Sequence, residues 1–215
     1  MKTGKDIQKI EDLYNSIAAE YSEQFYGEHE NKPEDQSVLR RFAAAIGGKK
    51  PVWDIGCGPG QTAAYLKNLG VDISGMDLSE IVLEQARANN PGIHFRKGNM
   101  LKLSFKNDSI AGIVAFYTIV HFSEKQVDVA FREVFRVLEP GGIFLCTYHI
   151  GEEKVHVQTF LGKTVDIDLI LFKTDLIFCC LRRNGFKILD VITREPYPEV
   201  EYETQRAYVF AIKMT

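Results

Sequence analysis

The chain is poor in the residues that staple small extracellular scaffolds. Only four of its 215 residues are cysteines. Cys57, Cys146, Cys179 and Cys180 lie far apart except for one adjacent pair, which has neither zinc-ligand spacing nor good disulfide geometry. A disulfide framework is excluded, and the thiols read as reduced residues of a cytoplasmic protein. Long apolar runs are missing as well. The start, MKTGKDIQKIEDLYN, is charged throughout, and no segment is apolar for long enough to cross a bilayer. A soluble intracellular chain with no membrane partner is expected. There is no basic excess: 26 Lys and Arg against 29 Asp and Glu give a net charge of −3. Without a local basic patch, that balance gives no general attraction to nucleic acid. Repeats and low-complexity tracts are absent too.

What is present is apolar content, 45% of residues, enough to bury one sizeable core. We expect one domain over 1–215. Residues 1–50 are mostly helical: Ile7, Ile10, Leu13, Tyr14, Ile17, Tyr21 and Phe25 recur at helical spacing, and after a break at Gly27 and Pro33 a second helix carries Val38, Leu39, Phe42 and Ile46. Residues 51–150 alternate short apolar runs with helix-period segments, the pattern of βαβ crossovers. Ser79 and Ser123 sit where helix caps belong. Residues 151–171 are less regular. Residues 172–215 hold a helix and two strands, FKILDVITR and RAYVFAIK, joined by a loop with two prolines. The fold expected is α/β: a Rossmann-like, seven-stranded, mostly parallel sheet with helices on both faces and an antiparallel C-terminal strand.

The densest local signal is WDIGCGPG, residues 53–60. Ligands of open parallel sheets bind beyond the carboxyl ends of the strands, and glycines there let a ligand lie against the backbone. The dinucleotide fingerprint Gly-x-Gly-x-x-Gly fails by one residue, because Gln61 stands at its third glycine. A nicotinamide-dependent oxidoreductase is therefore disfavoured, though it remains the alternative enzyme class. The stretch reads instead as Asp54 followed by Gly56, Gly58 and Gly60.

DIGCGPG resembles the first motif of the class I methyltransferases that use S-adenosylmethionine. GMDLSE, KGNM, AFYTIVHF and LEPGG follow in the family's order. YNSIAAEYSEQF resembles the tyrosine-bearing helix that the small-molecule branch, related to ubiquinone-biosynthesis enzymes, uses as an N-terminal lid. The resemblance runs from about Tyr14 to the C-terminus and implies S-adenosyl-L-methionine as cofactor. It implies cofactor contacts from Tyr21, Asp54, Gly56, Cys57, Gly58, Gly60, Leu78, Met100 and Phe116, a ribose-binding role for Asp77, and an adenine contact from Asn99. Asp54 fits either the methionine ammonium group or a plain helix cap, Asn99 a plain turn, and Tyr14 and Tyr21 simple packing. The family often has an acid where Ala111 stands and Asp where Asn99 stands.

His121, at the end of the fourth strand, is the candidate base or substrate-orienting group, with Tyr117, Thr118, Tyr148 and His149 as weaker alternatives. It also fits a structural histidine. No metal is expected, since the spacing of His149, His156, Asp166 and Asp168 is not diagnostic. The acceptor expected is a small molecule offering oxygen, carbon, sulfur or an aliphatic amine, because the Asp/Asn-Pro-Pro-Tyr/Phe sequence associated with planar nitrogen acceptors is absent. A non-catalytic cofactor-binding subunit is a third reading. The N-terminal helices, residues 151–171 and the last hairpin loop are expected to bind the acceptor, and the acidic run Glu195, Glu199, Glu201 and Glu203 of that loop is expected on the cofactor side of the sheet, although it also fits a solvated loop.

Overall fold

In the computed structural model residues 3–214 are described; Met1, Lys2 and Thr215, part of the expected 1–215 domain, lie outside the described residues. Among the described residues nine strands form: β1 (Val52–Ile55), β2 (Ile73–Asp77), β3 (His94–Lys97), β4 (Ile110–Ala115), β5 (Leu138–His149), β6 (Lys154–Phe160), β7 (Lys163–Ile170), β8 (Phe186–Arg194) and β9 (Arg206–Lys213). Seven of them build one sheet in the order β3-β2-β1-β4-β5-β9-β8. Neighbours from β3 to β5 pair in parallel, whereas β9 runs antiparallel to both β5 and β8. The order reverses between β1 and β4, which opens a crevice above their carboxyl ends.

Each face of the sheet has its own core. One packs against α2 (Pro33–Ile46), α3 (Gln61–Asn68) and α4 (Glu80–Asn89), the other against α5 (Glu124–Val137) and α6 (Thr174–Arg183). Strands covered on both sides are continuously apolar, and β4 is buried at all six positions. Both expected caps are present: Ser79 Oγ accepts the Val82 amide, and Ser123 and Gln126 form a reciprocal capping box. No helix connects β3 to β4. The Arg96 guanidinium lies between Trp53 and Phe105, 4.7 and 4.2 Å from their ring centres, and joins that loop to the sheet through its aromatic faces.

The long helix α1 (Thr3–Phe25) is tied to α4 and its cap by Ser79 Oγ donating to Asn15 Oδ1 at 2.6 Å and by Asn89 donating to Ser22 at 3.1 Å. Three sequence expectations shift. Pro33 starts α2 rather than separating it from what precedes, since the first helical position needs no amide proton and suits proline's fixed φ. The LEPGG stretch, Leu138–Gly142, whose resemblance implies a turn into the fifth strand, is itself drawn into β5, with Leu138 opposite Ile110 before a register shift. Residues 151–171 are not irregular: β6 and β7 form a separate two-stranded hairpin, closed at Leu161 and Gly162, both in the left-handed region. Val155, Val157, Val165, Ile167 and Leu169 give it alternation, interrupted by a register shift between Val157 and Thr159.

Candidate active site

A cavity of about 610 Å³ lies above the carboxyl ends of the strands. One limb follows the loop after β1. Gly56, Gly58 and Gly60 all have positive φ, at 71°, 54° and 92°, a region in which L side chains are strained. Their surroundings differ. A Cβ on Gly56 would fall 2.2 Å from the Thr118 side chain, and one on Gly60 would fall 2.7 Å from Asn90 Nδ2. Only at Gly58 would it point toward the lid, 3.4 Å from the Tyr21 ring. Gly56, Cys57 and Gly58 line the cavity, while Gly60 stands off it and is required by packing.

Asp77, at the end of β2, organises this limb. Its Oδ2 accepts the Gly58 amide and its Oδ1 the Ser79 amide, each at 2.9 Å. Each carboxylate oxygen retains a lone pair for a further donor, as ribose hydroxyls would require. Burial raises its pKa, against the pull of the Ser79, Gly58 and Leu78 amides. Asp54 is not on the cavity wall. It is 1% exposed, and neither of its oxygens meets a partner in hydrogen-bond geometry. Burial first and the Asp77 charge second raise its pKa to about 8, against a lesser pull from the Ala63 amide. Behind the wall and without a partner, the acid is held protonated near pH 7 instead of offering a charge to a ligand. Leu78, Asn99, Met100 and Phe116 line the same cavity. Asn99 Oδ1 accepts the Leu101 amide at 2.8 Å, so the residue also forms the turn that the Gly98-Asn99 pair suggests.

A roof of aromatic rings closes the cavity. Tyr14 and Tyr21 meet edge to face at 5.3 Å, Tyr21 and Phe25 lie 4.7 Å apart, and Phe160 from the hairpin stacks on Phe25 at 6.4 Å. Burial raises the pKa of both tyrosines, keeping them protonated. The hairpin is anchored to α1 by Lys163, which bonds the Ser16 carbonyl and pairs with Glu20 at 2.8 Å. His121 sits beneath Tyr14. Its Nδ1 faces the Asp168 carbonyl at 2.8 Å and must carry the proton, so Nε2 accepts the Tyr14 hydroxyl at 3.1 Å. Burial lowers its pKa, against the pull of the Asp168 carbonyl and side chain. Both of its nitrogens are engaged.

The second limb lies over β4, β5 and β9. Tyr117 takes a left-handed backbone, φ 53°, held by its amide to Thr147 Oγ1 at 2.7 Å. His149 stacks near Tyr117, ring centres 5.0 Å apart, and meets Thr204 through Nδ1 at 2.7 Å. Its Nε2 has no protein partner among the described residues. Burial, then the positive charge of Arg206, lowers its pKa to about 4, so it is neutral near pH 7. Tyr148 is fully buried and off the cavity. Behind the limb is an ion network that the sequence pattern did not reveal. Arg194 binds Asp35 at 2.9 Å and Glu201 at 2.6 and 2.8 Å, and Lys32 joins Glu28 at 2.6 Å to Glu201 at 3.2 Å. Of the acidic run, Glu201 alone turns inward; Glu195, Glu199 and Glu203 are exposed. The candidate metal ligands separate: His156 pairs with Asp168 at 3.1 Å on the exposed hairpin, away from His149.

Residues 52–142 match the family described as a methyltransferase domain. A probable S-adenosylmethionine-dependent methyltransferase of Mycolicibacterium smegmatis is 33% identical over 108 residues, 50% of this chain and 41% of that protein. An O-methyltransferase of Penicillium expansum is 24% identical, covering 87% of this chain and 73% of its own length. A tRNA N(3)-methylcytidine methyltransferase of Schizosaccharomyces pombe is 27% identical, covering 62% and 50%. The chain spans less than half of the first of these relatives. Among solved structures, a Methanosarcina mazei S-adenosylmethionine-dependent methyltransferase superposes with a TM-score of 0.69 at 18% identity, covering 76% of this chain and 92% of that one. The stretch similar to a methyltransferase domain, residues 52–142, contains the glycine loop and Asp77, and the fold as a whole is similar to that of an S-adenosylmethionine-dependent methyltransferase.

Proposed function

We propose that the chain transfers the methyl group of S-adenosylmethionine to a small-molecule acceptor enclosed beneath the α1 and hairpin roof. The carrying observation is that one cavity joins the glycine loop to a second, roofed limb with its own polar groups. Its 610 Å³ lies within the roughly 300–1,000 Å³ of pockets that bury a drug-sized ligand. A roof of Tyr14, Tyr21, Phe25 and Phe160 favours a metabolite over a folded macromolecule.

The residues fit the cofactor: Gly58 leaves a cradle that a Cβ would narrow, and Asp77 retains acceptor capacity on the cavity wall. When bound, S-adenosylmethionine supplies a methyl group activated by a sulfonium centre. The protein then has to align an acceptor atom with that group and exclude water. Tyr14 and Tyr21 close over the site, and the fixed turn at Tyr117 shapes the wall at the end of β4. His121 orients Tyr14, and it accepts a proton from an acceptor only where the acceptor displaces the Tyr14 hydroxyl from Nε2.

Calorimetry with S-adenosylmethionine and its demethylated product should show binding to the folded chain, and labelled methyl should then pass to a member of a metabolite panel. Absence of cofactor binding in a well-folded sample overturns the reading. Binding without transfer to any acceptor, tRNA included, favours a non-catalytic cofactor-binding subunit.

A further inference from the structure

Arg206 is a buried cation with an open side. It begins β9, opposite His149 across the β5 pairing, and is 2% exposed while still contributing to the cavity wall. One terminal nitrogen bonds the Thr204 carbonyl. Its Nε lies 3.4 Å from Glu201 Oε2 but has no partner in hydrogen-bond geometry. Glu201 cannot compensate it fully, because its carboxylate already receives two bonds from Arg194 and one from the Tyr197 amide and also contacts Lys32. Asp35, the other buried acid of the network, is likewise held by Arg194 and Tyr208. The cluster balances in number but not in arrangement, and the poorly compensated charge faces the cavity. Its effect reaches the neighbouring ring, where Arg206 is the chief charge lowering the His149 pKa.

Resting on the methyl-transfer reading, we propose that the acceptor is a small organic acid with an apolar body, its carboxylate held by Arg206 beside His149 at the β5 and β9 end. A guanidinium fork matches a carboxylate, and a charge-assisted bond is favoured where water is excluded. With Thr204 donating its hydroxyl to Nδ1, neutral His149 carries its proton on Nε2 and donates it to the same group. A phosphate dianion fits less well, because Lys32 and Arg194 are both committed to Glu28, Asp35 and Glu201. The apolar body meets Phe160, Leu161 and Leu169 from the hairpin and Val200 at the mouth. The cofactor's own carboxylate is the other source of this chemistry. Strand order argues against it: β9 stands three strands from β1, roughly 14 Å at about 4.8 Å per strand.

The test is calorimetric titration of the full chain, loaded with S-adenosylhomocysteine, with benzoate, benzamide and benzylamine, which differ in the charge of one substituent. Benzoate should bind at least tenfold more tightly than either of the others, and inorganic phosphate should not compete. Arg206→Gln should reduce benzoate to the level of benzamide while S-adenosylhomocysteine affinity stays within threefold, and Arg206→Lys should retain part of the preference. Equal binding of the three probes, no benzoate binding, or stronger binding of phosphate overturns the proposal. A tenfold loss of S-adenosylhomocysteine affinity in a folded Arg206→Gln protein assigns the guanidinium to the cofactor and also overturns it. If Arg206→Gln does not fold, the wild-type preference and Arg206→Lys decide. Failure of the wild type to bind S-adenosylhomocysteine overturns the methyl-transfer reading instead, and the same probes on the free chain then decide the carboxylate site.

Discussion

The two limbs of the cavity are built from different materials. The limb beside β1 uses backbone: left-handed glycines, two amides on one carboxylate, and strand ends within 50 residues of one another. The limb beside β9 uses long charged side chains from distant segments, with Lys32, Asp35, Arg194, Glu201 and Arg206 in one network. A backbone cradle is set by local conformation and accommodates one shape of ligand. A side-chain network can be rebuilt by a few substitutions without disturbing the sheet. The contrast suits a conserved task for the first limb, cofactor binding, and an adaptable one for the second.

The largest expected effect falls on the network. Arg194→Met leaves Asp35 and Glu201 without their main partner, and breaking a buried ion pair on one side costs about 3–5 kcal/mol. Denaturant unfolding should show that loss, with cofactor affinity in the remaining folded protein nearly unchanged. If affinity falls in parallel, the two limbs are coupled. Asp77→Ala should act in the opposite sense. Loss of the charged acceptor should weaken S-adenosylmethionine binding about a hundredfold by calorimetry, roughly 2.7 kcal/mol, well beyond its effect on stability.

Smaller changes separate positions within the first limb. Gly56→Ala and Gly58→Ala both force an L residue into the left-handed region, at about 1–2 kcal/mol. Gly56→Ala adds a clash with Thr118 and should lower the melting temperature further. Gly58→Ala should mainly reduce cofactor affinity, about tenfold, since its Cβ enters the cleft below Tyr21. Equal effects on melting and binding for the two variants would dissolve the distinction.

The finest test is Asp54 and pH. Its folded pKa, raised to about 8 from an ordinary value near 4, means that the fold favours the protonated acid. The stability it contributes is full below about pH 4 and is lost as pH rises through 8. Asp54→Asn removes this dependence. The stability of the variant relative to wild type should therefore rise from pH 5 to about pH 8 and level off above it, as measured by denaturant midpoints. A flat difference would mean that Asp54 is already ionised in the fold.

Much of the first limb was legible because its determinants are local. Asp77 lies in a strand-end segment, and the glycines follow one another in a single loop. Even there, adjacency misled in detail: Gly60 is required by Asn90 and Phe95 rather than by a ligand, and Asp54 stands behind the wall. Ile7 and Ile10, which also line the cavity, belonged to a helix face that core packing explains equally well. The hairpin was overlooked because its alternation is interrupted by a register shift. Arg206 gave no signal, since an arginine at the start of a strand is ordinary until its neighbours are known.

From the sequence alone came the alternation of strands and helices, the parallel sheet with its antiparallel last strand, the rejected dinucleotide register and the acid at the end of β2. Each depends on spacing along the chain, which fixes local conformation and the face on which a side chain falls. The tertiary structure alone decided that His121 is engaged with Tyr14 and Asp168, that Glu201 turns inward while its acidic neighbours face solvent, and that Arg206 is buried against the cavity. Those outcomes depend on burial and on partners such as Tyr14 for His121 and Lys32 for Glu201, far away along the chain, and the energy of a charge is set by what surrounds it rather than by what precedes it.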